Sequence, residues 1–353
     1  MSLPNERPGV YSEFDASSVI STLPGARVVG AVGVAALPGG GQPVTVTGYA
    51  QAVSLFGGEG QGLTELVRLA LAGGAARVVA LPVSGETPGP ADYRAAFDAL
   101  NTIEDIPILI CDSPALAVQQ ALRDAVAEAS EARRERIAVV GLGEDDPAAL
   151  AARADALQSE RMVLVGPRGL KTDGGVLSGP YLAAAVAGVM AQNTDPALPL
   201  GGAAVPGLGG LTARYGDNEI DLLITGGVTP LEELSGTVSV LRAVTTRTET
   251  GGVPDPTWRE LSTVLIADHV IAGLRRSLRA RFARAKNTEQ VRGAVRSHVI
   301  MDLEAKKTAQ IIDGYRNVAA EQAVGNPTVC VVSFEFAVAH ALNQIYLTAH
   351  ILV

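Results

Sequence analysis

Four histidines, two cysteines and three glycine-rich stretches are the groups in this 353-residue chain whose types and spacing could do chemistry. The histidines, His269, His298, His340 and His350, all fall in the last quarter, and none stands in an H-E-x-x-H pair that would hold zinc. Asp268 and His269 are adjacent, so on a helix they point about 100° apart and cannot work as an acid–base couple. Cys111 and Cys330 sit inside the apolar runs IPILICDS and TVCVVSF, far from any second thiol, which reads as two buried thiols in strands of a protein kept in a reducing compartment. GPRGLKT at 166–172 resembles a phosphate loop, but Leu170 separates Gly169 from Lys171, and TDGGVLSGP rather than a helix follows. VVGAVGVAALPGGG and AVPGLGGL lack the G-x-G-x-x-G spacing of a dinucleotide site. No serine stands in a nucleophile-elbow context. No catalytic residue, metal ligand or cofactor is expected. The rival reading is a soluble α/β enzyme with an unrecognised site at the carboxyl ends of its strands.

The elements that would position such groups alternate. ARVVGAVGVAAL and QPVTVTGY read as strands, and residues 50–56 and 62–72 as helices. ARVVALPV at 76–83 is a buried strand. From about 90 to 166 the order becomes helix, strand, helix, strand, helix, strand: ADYRAAFDALN, IPILICD, SPALAVQQALRDAVAEASEARR, RIAVVGL, DPAALAARADALQSE and RMVLVGP. Asp146-Pro147 and Ser113-Pro114 fit helix starts. This pattern predicts a parallel or mixed sheet with helices on its faces. Residues 179–191 form another helix, and EIDLLITGGV and VSVLRAVTTRT read as short strands. TETGGVPDP at 248–256 marks a domain boundary. Beyond it come a long helix from Trp258 to about Lys286, a second from Thr288 to about Lys307, and the strands NPTVCVVSFEFAVA and QIYLTAHILV.

Composition narrows the class. Hydrophobic residues make up 47%, charged residues 18% and aromatics only 4%, with 39 glycines, so backbone must pack on backbone rather than around large rings. The start, MSLPNERPGVY, lacks a basic region followed by an apolar one, so no signal peptide is expected, and no apolar run reaches the roughly 20 residues of a membrane helix. The net charge of −9 is uneven. Residues 270–310 hold ten basic and three acidic residues, an excess of seven positive charges that leaves −16 on the rest. In RRSLRARFARAK (275–286), Leu274, Leu278 and Phe282 give the buried stripe, while the cations cover the remaining circumference. The helix reads either as a solvated face or as a contact for an acidic protein surface; the overall acidity and missing stacking aromatics argue against nucleic acid.

Both ends read as arms. Val10 and Phe14 share one face of RPGVYSEFDAS, with Tyr11 on the other. At the far end Ile345, Leu347, Ala349, Ile351 and Val353 share one face of an alternating strand. Such a strand needs an edge to pair with.

PGVYSE (8–13) and the stretch LPGARVVGAVGVAALPGGGQPVTVTGYAQAVSLFGG (23–58) resemble the opening of contractile phage tail sheath proteins. LTELVRLALAGGAARVVALPV, SGPYLAAAVAGVMAQNTD and GGVTPLEELSGTVSVLRAVTTRT follow in that family's order. The family's Gly-Val-Asn reads Gly227-Val228-Thr229 here, and the chain lacks the large outer insertions of longer members. The resemblance implies an α/β fold, α+β overall. A mixed-sheet α/β outer region (26–248) joins a C-terminal α+β domain with two helices and strands (249–338). An N-terminal arm strand (1–25) and a C-terminal arm strand (339–353) flank them.

It also implies a non-enzymatic subunit that stacks as hexameric rings around a tail tube. Neighbours are linked by exchanged arm strands built on Val10, Tyr11, Phe14, Ile345, Leu347, Ala349, Ile351 and Val353. Implied partners are further copies, the tube, the baseplate and the tail terminator, with no cofactor, nucleic acid or membrane insertion. The implied setting is a phage tail or tail-like particle assembled in the host cytoplasm. Arg275, Arg279, Arg281, Arg284 and Lys286 are the candidate tube contact. Pro24-Gly25 and residues 337–343 are candidate hinges.

Overall fold

The computed structural model describes residues 27–37, 41–83 and 88–350. The first half runs β1 (Val28–Gly33), β2 (Val44–Val46), α1 (Tyr49–Phe56), α2 (Gly62–Ala72), β3 (Arg77–Pro82), α3 (Pro90–Asn101), β4 (Ile108–Cys111), α4 (Leu116–Glu131), β5 (Ile137–Gly141), α5 (Pro147–Leu157) and β6 (Met162–Gly166). It continues with β7 (Gly169–Leu170), α6 (Gly179–Gln192), β8 (Gly210–Leu211), α7 (Asp217–Thr225), β9 (Val228–Leu234) and β10 (Thr237–Val240). A small hairpin, β11 (Glu249–Thr250) and β12 (Val253–Pro254), precedes α8 (Leu261–Phe282), α9 (Glu289–Thr308), β13 (Ile312–Gln322) and β14 (Cys330–Val338).

Eight strands form one sheet in the order β10-β9-β6-β5-β4-β1-β3-β2. β1, β3, β4, β5, β6 and β9 are parallel, and β2 and β10 run antiparallel at the two edges. Runs such as VVGAVG and IAVVG are apolar throughout because both faces are covered. One face packs against α1, α2 and α6; the other against α3, α4 and α5. Two of the 39 glycines find their use at the α2–α6 crossing. A Cβ at Gly73 would lie 2.4 Å from the Ala185 carbonyl oxygen, and one at Gly188 would lie 2.3 Å from that of Ala70. The two backbones touch.

Helix α8 belongs to two cores. Leu261, Val264 and Ala267 join the core under the sheet. Ile266, Val270, Leu274 and Leu278 join a second core with Val295, Val299 and Leu303 of α9 and Ile312 and Val318 of β13. The β13–β14 pair is an antiparallel two-stranded sheet.

Two sequence expectations within the α/β layer need correction. EIDLLITGGV is not a strand: residues 217–225 form α7. The Glu219 carboxylate accepts the Gly216 N–H, and Ile220, Leu223 and Ile224 have helical spacing toward the sheet. Ser113-Pro114 does not open α4, whose N-cap is Ala115, whereas Asp146 caps α5 by accepting the Ala149 N–H.

Candidate assembly surfaces

Every parallel strand enters the sheet from one end, and arginine recurs there. Arg27, Arg136 and Arg161 immediately precede β1, β5 and β6, and Arg77 opens β3. The row is half covered. Arg161 is buried, with Nη1 and Nη2 donating to the two carboxylate oxygens of Asp268 on α8 at 2.7 and 3.0 Å. Burial pulls against the guanidinium charge, but Asp268 prevails and holds the arginine above its ordinary pKa. One strand over, Arg275 of α8 donates to Glu135 at 2.9 Å, with both side chains largely buried. Arg136 is buried beside Arg134, its Nη2 donates to the Ile103 carbonyl, and burial lowers its pKa to about 10. These pairs bolt α8 to the amino end of the sheet. Sequence reading missed them; the signal was an acid, Asp268, inside the apolar stripe of a helix, and an arginine heading four of the six parallel strands.

The opposite end is where an α/β enzyme would hold a ligand. β3 and β4 lie on opposite sides of β1, so the chain reverses direction across the sheet there and leaves a crevice at the strands' carboxyl ends. Asp112 occupies it. Its Oδ2 accepts the Val34 N–H at 2.7 Å and its Oδ1 accepts the Tyr93 hydroxyl at 2.5 Å. Burial raises the Asp112 pKa, opposed by these two donors, and burial also raises that of Tyr93. The carboxylate therefore ties α3 to β1. Cys111, beside it, is buried and its thiol is pushed up to about 12.

The remaining chemical candidates are scattered. Among the described residues no group of three His, Cys, Asp or Glu could hold a metal ion. His269 is half-buried in α8, its pKa lowered by burial and then by Lys306. His298 lies against Phe282 and within 3.4 Å of Arg281. His340 and His350 are exposed. Gly169 and Leu170 of GPRGLKT form β7, followed by a turn at 171–175. No described helix is long and apolar enough to cross a membrane.

The expected tube-contact residues separate. Arg279, Arg281, Arg284 and Lys286 are exposed around the last turns of α8 and beyond. Arg275 differs from them: it is largely buried and donates to Glu135.

At the carboxyl end, residues 339–350 carry no strand, and Ile345, Tyr346 and Leu347 are 79%, 88% and 91% exposed. Ala349 is exposed too. Asn343 borders a shallow groove with Leu198, Leu200, Arg242, Glu260 and Leu261. Ala337 pairs within β14, so the candidate hinge narrows to the residues after Val338. Val10, Tyr11, Phe14, Pro24, Gly25, Ile351 and Val353 lie outside the described residues.

A doubly covered α/β layer bolted to a helical pair, with a two-stranded sheet and an uncovered apolar tail, defines a protein whose conspicuous surfaces are edges and arms rather than a cleft. Residues 86–246 match the phage tail sheath protein central domain, and residues 253–351 match the phage tail sheath C-terminal domain. The chain belongs to the phage tail sheath protein family.

The tail sheath protein of Mycobacterium phage Bxz1 is 26% identical over 307 residues, covering 80% of this chain and 50% of that protein. That of Bacillus phage SP01 is 27% identical over 271 residues, covering 74% and 46%. The chain thus spans about half the length of these curated relatives. Its fold is shared with a sheath tail protein of Listeria innocua (TM-score 0.72, 13% identity, 95% and 96% of the two chains). It is shared also with the helical sheath of the anti-feeding prophage in its contracted state (0.71, 14%, 98% and 99%).

Proposed function

We propose that this chain is the structural subunit of a contractile tail sheath. It polymerises as stacked hexameric rings around a tail tube and contracts to drive the tube through a target envelope. Its work is mechanical, and it needs no catalytic centre or cofactor. Its partners are further copies of itself, the tube, the baseplate and the tail terminator. It acts in a phage tail or tail-like particle assembled in the host cytoplasm.

The observation that carries this reading is the tail. Ile345 and Leu347 of the alternating segment lie almost fully in solvent, while among the described residues the β13–β14 pair has two strands and so two open edges. An extended segment adds to such an edge through backbone hydrogen bonds, with alternate side chains buried. Burying the five one-face side chains contributes about 7–15 kcal/mol. Ordering ten residues costs about 10–20 kcal/mol, and backbone bonds return about 1 kcal/mol each. One arm alone is near balance; a lattice of arms raises the effective concentration and locks each of them in.

The test is direct. Co-produced with a tube protein, the full chain is expected to form sheathed tubes in negative-stain images, and a chain ending at Asn343 none. Sheaths from the shortened chain would refute strand exchange through the tail.

The tube grip falls to Arg279, Arg281, Arg284 and Lys286, a cationic collar exposed at the end of α8. Exposed ion pairs are worth about 0–1 kcal/mol each, which suits a contact that must let go. Arg279→Glu with Arg284→Glu is expected to weaken co-sedimentation with the tube several-fold while leaving the melting temperature unchanged. Unchanged co-sedimentation would assign the collar elsewhere.

A further inference from the structure

The arginine row at the amino end of the sheet is satisfied on only one side. Under β5 and β6, carboxylates and arginines are paired through α8. Under β1 and β3, Arg27 and Arg77 are exposed, and neither enters an ion pair among the described residues. They head adjacent strands, with the Arg77 N–H bonded to the Arg27 carbonyl, so both belong to one corner of the sheet's amino end. A counter-charge presented at this corner meets two exposed cations.

The covered half shows the form such a counter-charge takes in this protein. It is a carboxylate carried on a helix, gripping a guanidinium with two parallel hydrogen bonds, as Asp268 does. A helix of that kind stands at the far lateral end of the sheet. α7 packs on β9, next to one edge, whereas β1 and β3 lie near the other. α7 turns Asp217 and Asp221, one turn apart, to solvent. Leu222, 47% exposed, lies beside Asp221, and the neighbouring α5 adds an exposed Asp155. None of these three acids is in an ion pair among the described residues.

We propose that these two ends form one contact between copies: the acidic α7 end of one copy docks on the Arg27–Arg77 corner of the next. Because the patches differ and lie at opposite ends of one molecule, the contact is head-to-tail, and repeating it closes a ring or winds a helix. Leu222 supplies the apolar centre of the contact. The partner is therefore a second copy of this chain, chosen by complementary charge. This rests on the self-assembly proposed above and adds to the arms a second, body-to-body contact.

A charge swap tests it. The full chain would carry Arg27→Asp with Arg77→Asp, or Asp217→Arg with Asp221→Arg, or all four changes, and polymer formed with the tube protein would be measured by sedimentation and negative stain. All six positions concerned, including Leu222 and Asp155, are at the surface, so unchanged melting curves are expected. A milder pair, Arg27→Gln with Arg77→Gln, covers the case in which a reversed charge disturbs folding.

Each reversal alone is expected to cut polymer at least tenfold, the neutral pair to cut it less, and the fourfold variant to recover most of it. Equal polymer from every variant would overturn the contact while leaving self-assembly standing. So would loss in both reversals without recovery in the fourfold variant. Failure of the unaltered chain to polymerise would instead overturn the self-assembly reading, and this contact with it.

Discussion

Replacing Asp268 by alanine is expected to lower stability by about 3–5 kcal/mol and the melting temperature by on the order of 10 °C. Arg161 is 1% exposed and Asp268 is fully buried, so no water can replace the lost carboxylate. The guanidinium would stay behind, charged and short of two acceptors, in a site whose burial already opposes its charge. Removing one partner of a buried pair costs far more than the pair itself contributes. The same logic fixes the control. Arg161→Met with Asp268→Leu removes both charges and keeps the volume, and most of the lost stability is expected to return. Calorimetry of the three variants decides it. Equal losses in the single and double variants would show that packing rather than charge holds α8 here. The pair matters beyond stability, because Arg161 sits at the foot of the sheet and Asp268 midway along the helix that also anchors α9, β13 and β14. The neighbouring Glu135–Arg275 pair joins the same helix to the amino end of the sheet.

Periodicity made the α/β layer legible. Continuous apolar runs such as RMVLVG, separated by helices with caps such as Asp146, leave few alternatives to buried parallel strands, and those elements lie within a few residues of their expected limits. EIDLLIT failed because its apolar triplet fits a short strand as well as a helix. The deciding feature, Glu219 reaching back to Gly216, is a local hydrogen bond that composition does not announce. The surroundings of Arg275 were illegible for a different reason. Helical spacing placed it among solvated cations, but its partner Glu135 is 140 residues away, and only the fold brings them together. Long-range pairing of that kind is invisible to spacing. The tail is the converse case. Its alternation was plain in the sequence, yet alternation states only that a strand would have two faces, not which edge receives it.

Gly188→Val is expected to cost about 3 kcal/mol or more, because its neighbours are backbone and cannot step aside. A Cβ there would lie 2.3 Å from the Ala70 carbonyl oxygen and 2.8 Å from the Gly73 Cα. Relief requires α6 and α2 to separate, and both helices pack on the same face of the sheet as Val29, Ile110 and Val139. Separation would strip contact from Leu66, Leu69, Ala184 and Ala185 at once and open voids that no side-chain rotation fills. Gly188→Ala is expected to cost less but in the same direction, since even one methyl group meets the carbonyl. Chemical denaturation of the full chain measures both. A valine variant as stable as the unaltered chain would mean that the two helices are not in backbone contact. The high glycine content would then serve turns alone, and the dense, aromatic-poor core would need another explanation.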